Sequence, residues 1–139
     1  MADILVVVEH QEGIFRKNTL SAVSAAKILS GLAGGEVDAL VLGDGVAAVA
    51  DAVAGTGVRR VLLCEGAGFR KYLAVAFAQA VVQVVKDRGY GAVFAPASTF
   101  GKDFMPRLSG LLDAPLASDI VGLAKEGSEL RVLRPMYAG

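Results

Sequence analysis

The sequence predicts a single α/β domain built on a mostly parallel β-sheet. Short runs rich in Val, Ile and Leu recur along the chain, stretches with helical spacing of apolar residues follow them, and glycines separate the two. Such runs are typical of strands covered on both faces, and their alternation with helices indicates parallel strands. The length of 139 residues suits one domain, residues 1–139, with its own core.

The predicted strands are short, apolar and rich in β-branched residues. They cover residues 3–9, 37–42, 60–64 and 92–95. The intervening segments carry apolar residues at i, i+3, i+4 and i+7, the spacing of one helix face. The predicted helices run from Asn18 or Thr19 to Gly34, from Val46 to Gly55, from Leu73 to Gly89, and through Phe104 to Leu112. A polar loop is predicted over residues 10–17.

The last part of the chain departs from this alternation. Pro106 is expected in the first turn of the fourth helix, where proline is tolerated. Residues 115–123 and 128–134 are two strand-like runs, and the turn of residues 124–127 between them is too short for a crossover helix, so they should be antiparallel or leave the sheet. The predicted fold is a Rossmann-like three-layer α/β/α arrangement, of the adenine nucleotide α-hydrolase-like kind. We also expect residue 139 to be a cut end rather than a natural terminus of the protein.

Composition excludes several classes of function. Fourteen basic and 14 acidic side chains give zero net charge without a basic cluster, which argues against nucleic-acid binding. The hydrophobic fraction is 54%, yet no apolar run has the length of a membrane span. The lone Cys64 excludes a disulfide framework, and with His10 as the only histidine neither a metal site nor a catalytic residue is predicted. A cytoplasmic location is expected.

Ligands of parallel sheets bind outside the carboxyl ends of the strands, and residues 9–12, 43–45, 65–68 and 97–102 form the loops there. Residues 43–48 match G-x-G-x-x-A, and Glu65 follows near the spacing of a dinucleotide fingerprint. The motif follows the second strand instead of the first, and Asp44 places an acid beside the pyrophosphate position. Ordinary turn chemistry is therefore the favoured interpretation.

A second candidate is an anion site at the start of the fourth helix, formed by Ser98, Thr99, Gly101 and Lys102. Free amides and the helix dipole attract anions at such a position. It is not a Walker A motif, because Pro96 and Asp103 stand where glycine and Ser or Thr are required. A capped helix with a solvated lysine is the simpler alternative.

Several fragments together resemble the N-terminal domain of the electron transfer flavoprotein α subunit. They occur in family order over essentially the whole chain: residues 4–10, Asn18 with Leu20, residues 95–102, Pro106 with Arg107, residues 118–120 and residues 134–139. The resemblance implies an α/β heterodimer that carries FAD and passes electrons from flavin dehydrogenases to a quinone oxidoreductase or a similar acceptor. It also implies that FAD belongs to a C-terminal domain absent here, and that the AMP of many members belongs to the β subunit. No cofactor is therefore expected on this chain.

The leading hypothesis is a non-catalytic scaffold domain that docks the β subunit. The alternatives are a stand-alone nucleotide-binding domain, and a paralogue that serves only for association. The predicted interface comprises residues 115–123 and 128–134, with apolar Leu130 and Val132 and with rim charges at Arg107, Asp119 and Arg134. Solvated surface or local capping is the simpler interpretation of Arg107 and Asp119. Without its partner the chain is expected to self-associate there.

Overall fold

The structure, a computed structural model, describes residues 2–134. The strands are β1 (Ile4–Val7), β2 (His10–Gln11), β3 (Ile14–Phe15), β4 (Val37–Gly43), β5 (Val61–Glu65), β6 (Ala92–Phe94), β7 (Gly122–Glu126) and β8 (Glu129–Leu133). The helices are α1 (Thr19–Ala33), α2 (Ala47–Ala54), α3 (Ala74–Arg88) and α4 (Thr99–Leu112), and a 3-10 helix covers Ala67–Phe69. The closing fragment of the family resemblance, residues 135–139, lies outside the described residues.

The central sheet has four parallel strands in the order β5-β4-β1-β6. β1 is paired on both sides, with Ile4 opposite Val37 on β4 and opposite Ala92 on β6. The chain moves outward from β1 through β4 to β5, and then returns to the other side of β1 with β6. The strand order therefore reverses between β1 and β6, which is the switch point where open α/β sheets usually bind ligands.

Helices cover both faces of this sheet. Ile4 and Val6 on β1 pack with Ala26 of α1 in one cluster, and α2 lies over the same face through Val49 and other residues. The opposite face of β1 packs in a separate cluster with α3 and α4. Alternate residues of one strand thus enter opposite layers, as period-2 geometry requires. The predicted three-layer α/β/α fold is confirmed.

The two C-terminal strands form an antiparallel hairpin of their own, β7–β8, outside the central sheet. This confirms that they are antiparallel and leave the sheet. The predicted strand over residues 115–123 is wrong, because the strand is Gly122–Glu126 and the turn is only Gly127 and Ser128. Pro115 has no amide to donate, and Asp119 has a left-handed φ of 53°, so the run is interrupted before its first bond to β8, from the Val121 amide to the Leu133 carbonyl oxygen at 2.7 Å.

Two further predictions fail at element boundaries. Pro106 lies inside α4 and not in its first turn, because α4 begins at Thr99. The loop over residues 10–17 contains a small antiparallel hairpin, β2–β3, which pairs His10 with Phe15. Each strand of that hairpin has only two residues, too few for a period-2 pattern to show in the sequence.

Candidate functional site at the carboxyl edge of the sheet

The Glu9 carboxylate lies at the switch point, just beyond β1, and is the centre of a polar network. Glu9 Oε1 accepts hydrogen bonds from Asn18 Nδ2 at 3.0 Å and from the Ser98 hydroxyl. Glu9 Oε2 lies 4.0 Å from Arg16 Nε, and the Glu9 amide donates to Thr19 Oγ1 at 3.0 Å. One residue thereby joins the end of β1 to the starts of α1 and α4. Sequence reasoning placed Glu9 in an edge loop but assigned it no partner.

Beside Glu9, two buried acceptor atoms have no hydrogen-bond partner among residues 2–134. His10 Nε2 lies 2.7 Å from the carbonyl oxygen of Leu42, so this nitrogen carries the proton and donates it. His10 Nδ1 has no hydrogen-bond partner among these residues, and neither has Asn18 Oδ1. His10 therefore serves as a structural donor that fixes the loop against β4.

A side chain of the protein itself accepts a hydrogen bond from the glycine motif of residues 43–48. Glu65 Oε1 accepts a hydrogen bond of 3.1 Å from the amide of Val46, at the start of α2. In a dinucleotide-binding fold this helix terminus would hold the pyrophosphate. Gly43 is required for packing, since a Cβ there would lie 2.6 Å from the Val46 side chain and 3.0 Å from His10 Nε2. These contacts agree with the interpretation of residues 43–48 as an ordinary turn between a strand and a helix.

The start of α4 contains the predicted anion site and has a well-defined local structure. Ser98 is the N-cap residue, and its hydroxyl accepts from the Gly101 amide at 3.4 Å while it donates to Glu9. A Cβ on Gly101 would lie 1.9 Å from the carbonyl oxygen of Pro96, so the chain requires glycine at this position. Thr99, the first residue of the helix, is exposed.

Lys102 and Asp119, which the sequence analysis assigned to different roles, form an ion pair. Lys102 Nζ lies 3.2 Å from Asp119 Oδ1, and the two side chains are 55% and 45% exposed. A pair this exposed contributes little stability, but it connects the segment after α4 to the first turn of that helix. Arg107 lies exposed on α4, between Pro106 and the buried Leu108.

A charged cluster at the opposite, amino edge of the sheet was missed by sequence reasoning. Asp38 is buried within β4 and accepts two hydrogen bonds from Arg59, at 2.9 and 2.7 Å, and one from the Tyr90 hydroxyl at 2.6 Å. Arg59 also donates to Asp3 at 2.9 Å. The available signal was the lone aspartate in the apolar run of residues 37–42, because a buried charge requires partners.

Two opposing effects act on the Asp38 carboxyl. Burial alone would raise the pKa of Asp38, but the hydrogen bonds from Arg59 and Tyr90 outweigh it and the net pKa is lowered. Burial, followed by the hydrogen bond to Asp38, raises the pKa of Tyr90 to about 12. The cluster therefore holds Asp38 ionised and Tyr90 protonated at neutral pH, and it fixes β4 to the residues after α2 and α3.

Apolar side chains are exposed around α1 and the β7–β8 hairpin. A groove of about 410 Å³ runs between α1 and the chain entering β7, with Leu20, Ile28 and Val121 among its lining residues. Leu130 and Val132 are 42% and 43% exposed. Their strand register places them on the hairpin face that also carries Leu123, which packs on the core beneath α1. The structure thus brings the predicted apolar interface residues together, and Arg134 lies exposed just after β8.

Two classes of feature are absent from the part of the chain that the structure describes. Within residues 2–134, no helix combines the length and the apolar character needed to cross a bilayer. The same residues contain no group of three or more His, Cys, Asp or Glu side chains placed to hold a metal ion.

The sheet order, the covered faces and the polar switch point define a three-layer Rossmann-like α/β domain. The family model described as electron transfer flavoprotein domain matches residues 4–139. The chain belongs to the electron transfer flavoprotein family.

Curated relatives are α subunits from bacteria and mitochondria. The electron transfer flavoprotein subunit alpha of Pseudomonas aeruginosa is 39% identical over 137 residues, which cover 98% of this chain and 41% of that protein. The Bacillus subtilis subunit is 28% identical over 136 residues, with the same two coverages of 98% and 41%. The mitochondrial subunit of Oryza sativa subsp. japonica is 35% identical over 140 residues, covering 97% of this chain and 38% of that protein. The chain therefore spans about two fifths of the length of these relatives.

Proposed function

We propose that this chain is the N-terminal domain of an electron transfer flavoprotein α subunit, and that its role is to dock the β subunit and support the flavin-carrying part of the protein. The observation that carries the proposal is the family match over residues 4–139. The relatives called electron transfer flavoprotein subunit alpha are more than twice as long as this chain, which leaves room in them for a separate cofactor domain. The parent protein would be an electron carrier, passing electrons from flavin dehydrogenases to a quinone oxidoreductase or a similar acceptor.

The contacts at two of the edge loops support the placement of FAD outside this chain. A flavin dinucleotide needs a helix terminus or a donor cluster free to take its pyrophosphate. In this chain Glu65 accepts the hydrogen bond from the Val46 amide just before α2, and Glu9 accepts those of Asn18 and Ser98. We therefore assign FAD to the part of the parent protein beyond this chain.

Absorbance spectroscopy tests this assignment. The purified chain is expected to be colourless, without flavin bands, when it is expressed in cells that contain FAD. Copurification of flavin in stoichiometric amount would contradict the assignment, whereas it would leave the family membership intact.

The surface proposed for the β subunit is the exposed apolar face of the hairpin and the adjoining groove along α1. Leu130 and Val132 supply apolar area on β8, and Ile28 and Val121 continue it in the groove. Exposed apolar patches of this kind are typical of protein interfaces. Arg107, Asp119 and Arg134 are proposed as rim charges, where individual ion pairs contribute little.

A binding measurement with the β subunit encoded by the same organism tests this surface. Leu130→Asp combined with Val132→Asp should weaken binding ~10-fold or more, equivalent to ~1.4 kcal/mol. Leu73→Asp is the matched control, because Leu73 is 62% exposed and precedes α3, away from the hairpin. Equal binding by the double variant and the control, with both folded by circular dichroism, would show that the interface lies elsewhere.

A further inference from the structure

The switch point between β1 and β6 holds two hydrogen-bond donors and one nearby cation around a single carboxylate. Asn18 supplies an amide N–H group at 3.0 Å, Ser98 supplies its hydroxyl, and Arg16 supplies a guanidinium at 4.0 Å. These donors come from separate parts of the chain, the loop before α1 and the start of α4. Neutral and cationic donors converging in this way are the chemistry that proteins use to bind a phosphate oxygen.

The anion that these donors surround is a side chain of the protein itself, the Glu9 carboxylate. The Glu9 side chain is 13% exposed, and one of its oxygens takes both the Asn18 and the Ser98 donors. A second anion entering here would have to displace this carboxylate from its donors. It would also meet a negative charge at short range in a partly buried environment, where like-charge repulsion is poorly screened.

We propose that Glu9 is the specificity-determining residue of the switch point: its carboxylate takes the place of a ligand phosphate and excludes phosphate-bearing ligands from this domain. Removal of that carboxylate exposes a latent phosphate site built from the Ser98 hydroxyl, the Asn18 amide and Arg16. The proposal concerns this edge of the sheet alone, and its failure would leave the proposed docking function unchanged.

Thermal unfolding of the chain in inorganic phosphate tests the proposal, with sodium chloride at matched ionic strength as the reference. Glu9→Ala should show a melting temperature that rises with phosphate concentration, as linkage to a native-state ligand requires. Glu9→Gln removes the charge but still fills the space, so its rise should be smaller. The wild-type chain should show no phosphate-specific rise. AMP should act as phosphate does, and adenosine should have no effect.

The Ser98 donor supplies a second, independent readout. Adding Ser98→Ala to Glu9→Ala should abolish the response to phosphate, because the hydroxyl that donates to Glu9 in the wild type, and would donate to the phosphate in the variant, is then missing. If Glu9→Ala does not fold, Glu9→Gln takes its place and must respond more than the wild type. The proposal is overturned by a folded Glu9 variant without a phosphate response, by a wild type that responds equally, by a response retained without Ser98, or by a response to adenosine.

Discussion

The buried Tyr90 and the half-buried Tyr72 differ in how their hydroxyl groups are partnered. Tyr90 donates to the Asp38 carboxylate at 2.6 Å. Burial, followed by the nearby Asp103 side chain, raises the pKa of Tyr72, but the buried Tyr72 hydroxyl makes no hydrogen bond of good geometry within residues 2–134. Tyr90→Phe is expected to destabilise the fold by about 1.5–3 kcal/mol, the range for a hydrogen bond to a charged group. Tyr72→Phe is the matched control and should change stability little. Urea unfolding of both variants checks this, and equal losses would contradict it.

The Asp38 cluster also predicts an acid dependence of stability. The pKa of Asp38 in the folded chain lies below its ordinary value of 3.8. Its stabilising contribution is therefore complete above pH 3.8 and is lost as the pH falls through the lower, folded-state pKa. Melting temperatures measured from pH 6 downward should fall less steeply in Asp38→Asn than in the wild type. Asp51→Asn, on the exposed side of α2, should leave the slope unchanged, and a slope unaltered by Asp38→Asn would refute the assignment.

Two glycines of α4 differ in whether the structure has space for a Cβ atom at their positions. A Cβ at Gly101 would lie 1.9 Å from the Pro96 carbonyl oxygen, while nothing among the described residues lies within 4 Å of one at Gly110. Gly101→Ala should therefore cost about 3 kcal/mol or more through backbone displacement. Gly110→Ala should stabilise the chain by about 0.5–1 kcal/mol, because alanine is the better helix former. Chemical denaturation distinguishes the two, and a tolerated Gly101→Ala would contradict the close approach.

At the scale of elements, the hairpin β7–β8 depends on the two-residue turn formed by Gly127 and Ser128. Gly127 has a φ of +61°, and Ser128 lies outside the left-handed region, as in a two-residue turn with glycine first. Gly127→Ala should cost about 1–2 kcal/mol locally. Because the hairpin is outside the central sheet, the loss should appear as faster amide exchange in β7 and β8. Ser128→Ala is the control, and equal exchange in both variants would contradict the turn assignment.

The accuracy of sequence reasoning varied with the length and burial of each element. β1, β4 and α3 were predicted because they are long enough, or buried enough, for their periodicity to show. Pro106 was misplaced because the prediction followed the apolar spacing that starts at Phe104, whereas the local cap at Ser98 begins α4 at Thr99. The network around Glu9 could not be predicted, since its partners lie 9 and 89 residues away along the chain.

At the scale of the whole molecule, the exposed apolar face of the hairpin predicts self-association of the chain without its partner. Leu130 and Val132 present apolar area, and zero net charge provides little repulsion between copies. A two-fold symmetric dimer is expected, because a self-complementary patch closes in that way. Sedimentation at micromolar concentration should show a dimer that the Leu130→Asp, Val132→Asp variant abolishes and Leu73→Asp preserves. A strictly monomeric wild type would contradict this.

The position of β1 at the centre of the sheet has a consequence for the order of folding. During synthesis β1 gains its β4 neighbour after one helix, but its other side stays open until Ala92 arrives. Closing that long loop has a larger entropic cost than the earlier pairing. The β1–β6 ladder should therefore form late, and until then the nascent chain carries an open, apolar strand edge that a chaperone or a neighbouring chain can bind.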